Sequence, residues 1–472
     1  LGAGIAVLTA WIGARVFGRR VGLAAGYGAA LYGMLIYFDG ELLTPTLTIA
    51  LQLVAIALVL RAGEGPGPSP GRWSAWRHGA AGFAGGLASI TTATSLVVVA
   101  VLAAFARRRA LPVLLGAAVA IAPITWRNAV KGGELIPISW NAGINFYIGN
   151  NPNYDETVGI RPDLQWKHFV QEPLRLGIRG MGAASSYFVR KSLSYLASDP
   201  IGFAKLQVRK LYLLLEGNEI PRNQEIYPSR EYSPVFRFLV WKVPGLAFPF
   251  GVLAPLGLVG LVAAWRRGPM LAAVLVAYAC AVLAFFITAR YRMPLVPLLL
   301  IFASEGVRWF RSEARAAPRA AAAAGAAFLF LAANLGQGPM PARMNADAEY
   351  SLGVKLALKG RADEAMGRIE AALRERPDYA EAWVNLGVLQ ATHGRPADAE
   401  RSLTRALEQE PEDIIALTNL AVLREKAGRT ADAVALYERA ARLDPADEFT
   451  RRKLAELRRP SEPAQPRREK PQ

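Results

Sequence analysis

Length, composition and charge exclude several protein classes for this chain. It has 472 residues, of which 53% are hydrophobic and 20% are charged, and its formal net charge is +17. The basic residues lie mainly in short loops between apolar runs, so the charge indicates membrane orientation and not a nucleic-acid-binding surface. The single cysteine, Cys280, can form no intrachain disulfide, and the three scattered histidines offer no metal-ligand spacing.

Apolar runs fill most of the region 1–340 and predict an all-α, polytopic transmembrane domain of about ten spans. Two of these runs are short and meet at a polar break at 91–95. We interpret them as two short helices, and one long tilted helix is the alternative. The predicted spans are the runs at about 1–17, 21–38, 42–60, 80–90, 94–106, 111–125, 247–265, 269–288, 294–308 and 320–336.

Lysine and arginine placement predicts how these spans are oriented. When the spans alternate, the short basic loops all fall on one face, which should be cytoplasmic. The outer face then carries Asp39 and Glu41, the break at 91–95, a long insert at 126–246 and the segment 289–294. The last predicted span would place the C-terminal domain on the same outer side.

The segment 289–294 reads Ala-Arg-Tyr-Arg-Met-Pro and lies between two apolar runs. An arginine at the hydrocarbon boundary is costly unless an anion or water meets it. Arg290 and Arg292 are therefore candidates for docking a phosphate at the membrane surface, and the alternative is a pair of snorkelling anchors. Their place on the predicted outer face, beside acids and amides, favours phosphate docking.

The insert contains a stretch at 136–152 that mixes amides, aromatic rings and glycines. Such residues grip sugars through directed hydrogen bonds and stacking, and a loop rich in turn formers is the alternative. Residues 182–217 predict basic, amphipathic helical structure that rests on a membrane surface.

The region 346–459 repeats with a period of 34 residues, as shown by the prolines Pro377, Pro411 and Pro445. This pattern predicts an α-solenoid of three tetratricopeptide repeats followed by a capping helix. The repeats could recruit a protein or peptide partner, or could pack on the membrane domain and bind nothing specific. A tail at 460–472, rich in proline and charge, is expected to be disordered.

The segment 289–294 resembles the arginine-tyrosine-arginine-x-proline signature of integral membrane glycosyltransferases of the GT-C type. The stretches Trp126-Arg127-Asn128 to 145–151, and the spans around Asp39-Gly40-Glu41-Leu42-Leu43, resemble the same enzymes. The resemblance covers about 1–336. Its closest form is family 39, which includes dolichyl-phosphate-mannose protein mannosyltransferases and the bacterial lipid A aminoarabinose transferases.

The resemblance implies transfer of a sugar from a polyprenyl-phosphate donor to a protein, lipid or glycan acceptor. The reaction would take place on the periplasmic face of a bacterial inner membrane. Arg290 and Arg292 would hold the donor phosphate with Arg127 as a third contact, because the guanidinium fork pairs with phosphate oxygens. Asp39 or Glu41 would orient the sugar or the acceptor. The remaining residues expected to line the sugar site are Asn141, Asn145, Tyr147 and Tyr291.

The family's first span and first outer loop, which carry its catalytic aspartate, match no residue of this chain. We therefore expect the general base to lie upstream of Leu1, and this sequence alone to be inactive. No tightly bound cofactor is expected, and the sequence does not decide whether a divalent metal is needed. The expected partners are the bilayer, the lipid-linked sugar and a protein on the repeats. The alternative function is a non-catalytic, membrane-anchored scaffold for envelope assembly.

Overall fold

The computed structural model describes residues 1–41, 44–62, 72–159, 164–220, 226–227, 230, 233–312, 316–335 and 342–458. The chain divides into two compact units, Leu1–Gly338 and Pro339–Gln472, and each is considered by itself. The expected disordered tail at 460–472 lies outside the described residues, as do Leu42 and Leu43 of the segment that resembles glycosyltransferases.

The first unit is almost entirely helical. Its N-terminal helices are α1 (Gly2–Phe17), α2 (Arg19–Leu31), α3 (Gly33–Gly40), α4 (Thr44–Ala62), α5 (Arg72–Thr91), α6 (Leu96–Ala106) and α7 (Ala110–Gly132). The insert then forms α8 (Ala142–Gly149), α9 (Tyr154–Gly159), α10 (Leu164–Arg175), α11 (Met181–Ser198), α12 (Pro200–Leu215) and α13 (Pro234–Leu239). A short antiparallel hairpin of β1 (Trp241–Val243) and β2 (Leu246–Phe248) follows. The unit ends with α14 (Phe250–Ala264), α15 (Pro269–Ala284), α16 (Ala289–Arg292), α17 (Val296–Ser312) and α18 (Ala316–Leu335).

Small residues let several of these helices pack with their backbones in close contact. A Cβ added to Gly82 of α5 would lie 1.8 Å from the carbonyl oxygen of Val113 of α7, and one on Gly260 of α14 would lie 1.9 Å from that of Phe302 of α17. Close packing through small residues is the usual way in which helices associate where no hydrophobic effect drives them together.

The count of about ten spans is wrong for the described residues. Two described helices are long and apolar enough to cross a membrane, Thr44–Ala62 and Ala289–Arg311. A third span is possible if α2 and α3, which meet at a 51° bend, act together. Many of the other apolar runs form helices that are too short or too broken, which the run lengths alone do not reveal. The shorter apolar helices are Gly2–Phe17, Phe250–Ala264, Pro269–Ala284 and Arg319–Leu335.

The interpretation of the runs beside the break at 91–95 as two helices is confirmed, and the helical stretch at 182–217 is divided as well. The polar break at 91–95 separates α5 from α6, and Ala93–Ser95 forms a single 3₁₀ turn. The basic amphipathic stretch at 182–217 is two helices, because Asp199 caps α12 by accepting a hydrogen bond from Gly202 N at 2.8 Å and Pro200 follows it.

The second unit is built from helix pairs in the predicted 34-residue register. Its helices are α19 (Ala342–Leu358), α20 (Ala362–Glu375), α21 (Ala380–Thr392), α22 (Pro396–Gln409), α23 (Ile414–Lys426), α24 (Thr430–Leu443) and α25 (Glu448–Leu457). The turn inside each pair contains a glycine at the same place, Gly360, Gly394 or Gly428, with φ between 72° and 73°. This left-handed conformation favours glycine, so the turns repeat as well as the helices.

Candidate functional site

Arg290 and Arg292 lie on opposite sides of α16, because residues two positions apart on a helix are separated by about 200°. Arg292 is completely buried. Its Nη2 lies 3.1 Å from Glu219 Oε2 and also donates to Asn218 O, while its Nη1 donates to Glu216 O at 2.5 Å. The prediction that Arg292 holds a donor phosphate therefore disagrees with this placement, since protein acceptors enclose the guanidinium.

Arg290 has a different environment. It is half-buried, and its Nη2 donates to Thr44 Oγ1 at 2.5 Å. The centre of its guanidinium lies 5.9 Å from the ring of Tyr291. A guanidinium has five N–H donors, so this hydrogen bond leaves capacity for an anion. Of the predicted pair, Arg290 is the arginine whose surroundings suit a phosphate.

A seam of hydroxyl and amide groups begins at this arginine. It consists of Thr44, Thr48 and Gln52 on α4, with Thr91, Thr92 and Ser95 opposite. Thr48 Oγ1 lies 2.7 Å from Thr91 Oγ1 and 3.0 Å from Thr92 Oγ1, and Gln52 Nε2 donates to Ser95 Oγ at 2.8 Å. Because the α4 residues are spaced i, i+4, i+8, they share one helix face. Side-chain hydrogen bonds thus join the polar break at 91–95 to α4.

A cavity of about 50 Å³ contains some of the predicted residues. Its lining residues are Thr94, Asn145, Val282, Phe285, Phe286 and Tyr291. Thr94 Oγ1 also donates to the hydroxyl of the buried Tyr278 at 3.4 Å. The structure therefore brings together Asn145 from the insert, Tyr291 from α16 and Thr94 from the polar break.

A lysine that the sequence reading missed holds α8 in position beside this cavity. Lys210 is fully buried, and its Nζ donates to Gly149 O and to Asn150 Oδ1, each at 3.0 Å. Asn150 Nδ2 in turn donates to Ala284 O at 2.9 Å, which ties the end of α8 to the end of α15. Burial lowers the pKa of Lys210 to about 8. Its buried i±4 neighbours on α12, Leu206 and Leu214, give a sequence signal that could have found it.

The remaining predicted residues do not line the cavity. Tyr147 stacks on Phe169 with ring centres 5.8 Å apart, and Lys191 Nζ lies 4.8 Å from the centre of the Tyr147 ring. Asp39 accepts a hydrogen bond from Gly2 N at 3.3 Å. The other three residues are Asn141, half-buried before α8, Glu41, half-buried after α3, and Arg127, exposed on α7.

An apolar groove of about 410 Å³ lies elsewhere in the first unit, between α2, α14 and α17. Its walls are almost wholly aliphatic and aromatic, and they include Leu31, Phe248, Leu256 and Leu300. Its lining also includes Tyr32, whose buried hydroxyl has no hydrogen-bond partner among the described residues.

The second unit offers a surface on the first helix of each pair, α19, α21 and α23, and on α25. Neighbouring members of this row are in contact. Asn385 Nδ2 of α21 donates to Tyr350 Oη of α19, and Lys453 Nζ of α25 lies 2.9 Å from Glu425 Oε1 of α23. We call this surface the inner-helix row. Burial and the neighbouring Glu381 raise the pKa of Tyr350, so its hydroxyl stays protonated at neutral pH.

Comparisons with known proteins bear on the second unit. Residues 356–400 and 390–448 match the family described as Tetratricopeptide repeat. Residues 356–448 are tetratricopeptide repeats. This match confirms the predicted repeats, and no curated protein sequence matches the chain.

Solved structures that the chain matches include three tetratricopeptide repeat proteins. The first tetratricopeptide domain of Spaghetti (RPAP3), bound to an HSP90 peptide, is 19% identical, with a TM-score of 0.24 and coverage of 24% of this chain and 91% of that one. The OM64 tetratricopeptide domain of Arabidopsis is 17% identical, with a TM-score of 0.24 and coverage of 25% and 97%. YrrB, described as having an unusual peptide-binding site, is 17% identical, with a TM-score of 0.23 and coverage of 43% and 90%. The resemblance of about 1–336 to membrane glycosyltransferases stays a prediction.

Proposed function

We propose that this protein is a scaffold whose tetratricopeptide repeats hold a polypeptide partner, while its N-terminal unit anchors it in a membrane. The observation that carries the proposal is the family match over 356–448. Stacked helix pairs create an extended surface that a polypeptide can follow. The two long apolar helices, Thr44–Ala62 and Ala289–Arg311, support the anchoring role.

Site-specific photo-crosslinking in the full-length chain tests this function. A crosslinking amino acid placed at Asn419, on the inner-helix row, should capture a polypeptide in cells. The same group at the exposed Arg405 of α22 is the matched control and should capture much less. Equal capture at both positions, or none at Asn419, would refute the scaffold function.

We propose sugar transfer from a polyprenyl-phosphate donor as a second function, because one observation specifically favours it. Arg290, with its guanidinium bonded to Thr44, precedes Tyr291, which lines a cavity with Thr94 and Asn145. In this proposal the guanidinium neutralises the charge that develops on the leaving lipid phosphate. Asn145 and Thr94 form hydrogen bonds with the sugar, and Arg292 acts only by fixing α16.

Comparing an arginine variant with a threonine variant tests the second function without depending on the first. Binding of a short-chain polyprenyl phosphate to the detergent-purified protein should fall at least tenfold in Arg290→Ala, because a charge-assisted pair with phosphate is lost. Thr48→Val, which alters the seam but leaves the arginine, is the control. Unchanged binding in Arg290→Ala would overturn this function, whereas the crosslinking result at Asn419 would stand.

A further inference from the structure

Equivalent positions in the inner-helix row change character from one end of the repeats to the other. One position of the 34-residue register is acidic in the first two repeats, with Asp347 in α19 and Glu381 in α21. At the same register, 34 and 68 residues after Glu381, stand Ile415 and Phe449. These side chains are 60% and 38% exposed. The repeat fold does not require apolar residues there, because the first two repeats carry acids.

Ile415 and Phe449 lie on neighbouring helices at matching depth. The ion pair of Lys453 with Glu425 joins α25 to α23, and packed helices have axes about 8–10 Å apart. The ring of Phe449 contacts that of the buried Tyr437, with centres 6.4 Å apart, which fixes its position. The two side chains thus form a pair of apolar contact points at one register position on adjacent first helices of the row.

The turns that precede these two helices are strongly acidic. Residues 410–415 and 444–449 each contain three acidic residues and no basic residue. Asp413 and Asp447 cap their helices, since Asp413 accepts from Ala416 N at 2.8 Å and Asp447 accepts from backbone N–H groups of its own helix. Glu412 and Glu448 are exposed beside the apolar pair. The corresponding turn of the first repeat, 376–381, includes the basic Arg376.

Basic residues also occur near this surface, but two of them are paired. Arg452 lies 5.9 Å from the Phe449 ring and 3.9 Å from Glu456, and Lys453 is bonded to Glu425. Arg451 is exposed. The surface made of Ile415, Phe449 and the turns 410–415 and 444–449 therefore combines an apolar pair with an acidic border.

We propose that this Ile415–Phe449 surface binds an extended polypeptide segment with two apolar side chains three residues apart, flanked by lysine or arginine. An extended chain in the polyproline II conformation has three residues per turn and rises about 3.1 Å per residue, so side chains three residues apart point the same way and are separated by about 9 Å, which matches the spacing of packed helices. The acidic border selects basic flanks, because opposite charges attract and like charges repel. This inference rests on the proposed scaffold function and names the chemistry of its partner.

The test uses three labelled peptides and the full-length chain in detergent. The first peptide carries two leucines separated by two residues, with lysines at the flanks. The second replaces the lysines by glutamates, and the third replaces the leucines by serines. Fluorescence anisotropy should show binding of the first peptide, weakening as salt is added, and at least tenfold weaker binding of the other two.

Protein variants locate the binding. Ile415→Ala and Phe449→Ala should each weaken binding of the leucine-lysine peptide about tenfold, because each removes a partly buried apolar contact. Leu443→Ala is the matched control, since Leu443 is 39% exposed but lies on α24, outside the inner-helix row. Glu412→Lys with Glu448→Lys changes only exposed charges and should reverse the preference between the lysine and glutamate peptides.

Three results would overturn the inference: no binding of the leucine-lysine peptide, equal binding of the glutamate peptide, or an equal loss in Leu443→Ala. Each would leave the scaffold function standing if the crosslinker at Asn419 still captured a polypeptide. Failure of that capture would count against the scaffold function itself.

Discussion

Replacing Arg292 by methionine should strongly destabilise the first unit. The arginine has no exposed surface, and its partner Glu219 is 1% exposed at a distance of 3.1 Å. Its guanidinium also lies 4.1 Å from the ring centre of Phe250 and donates to Glu216 O at 2.5 Å. The substitution would leave a buried carboxylate and buried carbonyl groups without their donor. Removing one member of a buried ion pair costs about 3–5 kcal/mol.

The measurement is thermal unfolding of the detergent-purified chain, followed by circular dichroism. Arg292→Met should lower the melting temperature of the first unit by at least about 5 °C. Arg290→Met, which removes a half-buried arginine bonded to Thr44, is the control and should cost about 1 kcal/mol. Adding Glu219→Leu to Arg292→Met should restore much of the loss, because no charge is then buried unpaired.

The reasoning would be refuted if Arg292→Met had the same melting temperature as the wild type, or if Arg290→Met lost more stability than Arg292→Met. Burial raises the pKa of Glu219, and the charge of Arg292 opposes that rise. The carboxyl group should therefore become protonated in Arg292→Met at a higher pH than in the wild type.

Three further predictions concern other parts of the chain. Burial lowers the pKa of Lys210 from 10.5 to about 8. Between these pH values the unfolded chain binds more protons than the folded chain, so the free energy of unfolding should rise with pH. Chemical denaturation should show a rise of about 2 kcal/mol from about pH 8 to 10 in the wild type relative to Lys210→Met. A Cβ on Gly387 would lie 3.2 Å from Ala399 O, so Gly387→Val should cost about 1–3 kcal/mol in thermal melting. Gly387→Ala should cost less, since Ala421 occupies the same place in the third repeat. Asp413→Ala should cost about 1 kcal/mol in the same melting assay, through loss of its hydrogen bond to Ala416 N.

The repeats could be predicted well because one period determines most of their structure. The prolines, the small residues at helix contacts and the turn glycines all recur at the same spacing of 34 residues. A single match to any of these would have been weak, but the shared register of Pro377, Pro411 and Pro445 is specific. The exposure of Ile415 and Phe449 was not predicted, since sequence hydrophobicity does not distinguish a core position from a surface one.

The first unit was predicted less well, for two physical reasons. Run length measures apolarity but not bending, so the run at 21–38 appeared to be one span although the chain bends by 51° between α2 and α3. Arg290 and Arg292 were treated as a pair because they are near in sequence. Helical geometry separates them, and a check of their angular spacing would have shown that only one could face a given ligand.

The pair of Arg292 and Glu219 has a consequence for biosynthesis. The two residues are 73 positions apart, and Glu219 is made first. Until α16 is synthesised, its carboxylate has no permanent counter-ion and must stay hydrated or take up a proton. The stretch 213–219, whose carbonyl groups bond Arg292, cannot reach its final buried state before then. The insert therefore completes its folding only after a later helix has been synthesised. A chain interrupted between 220 and 291 should expose this stretch to quality-control proteases.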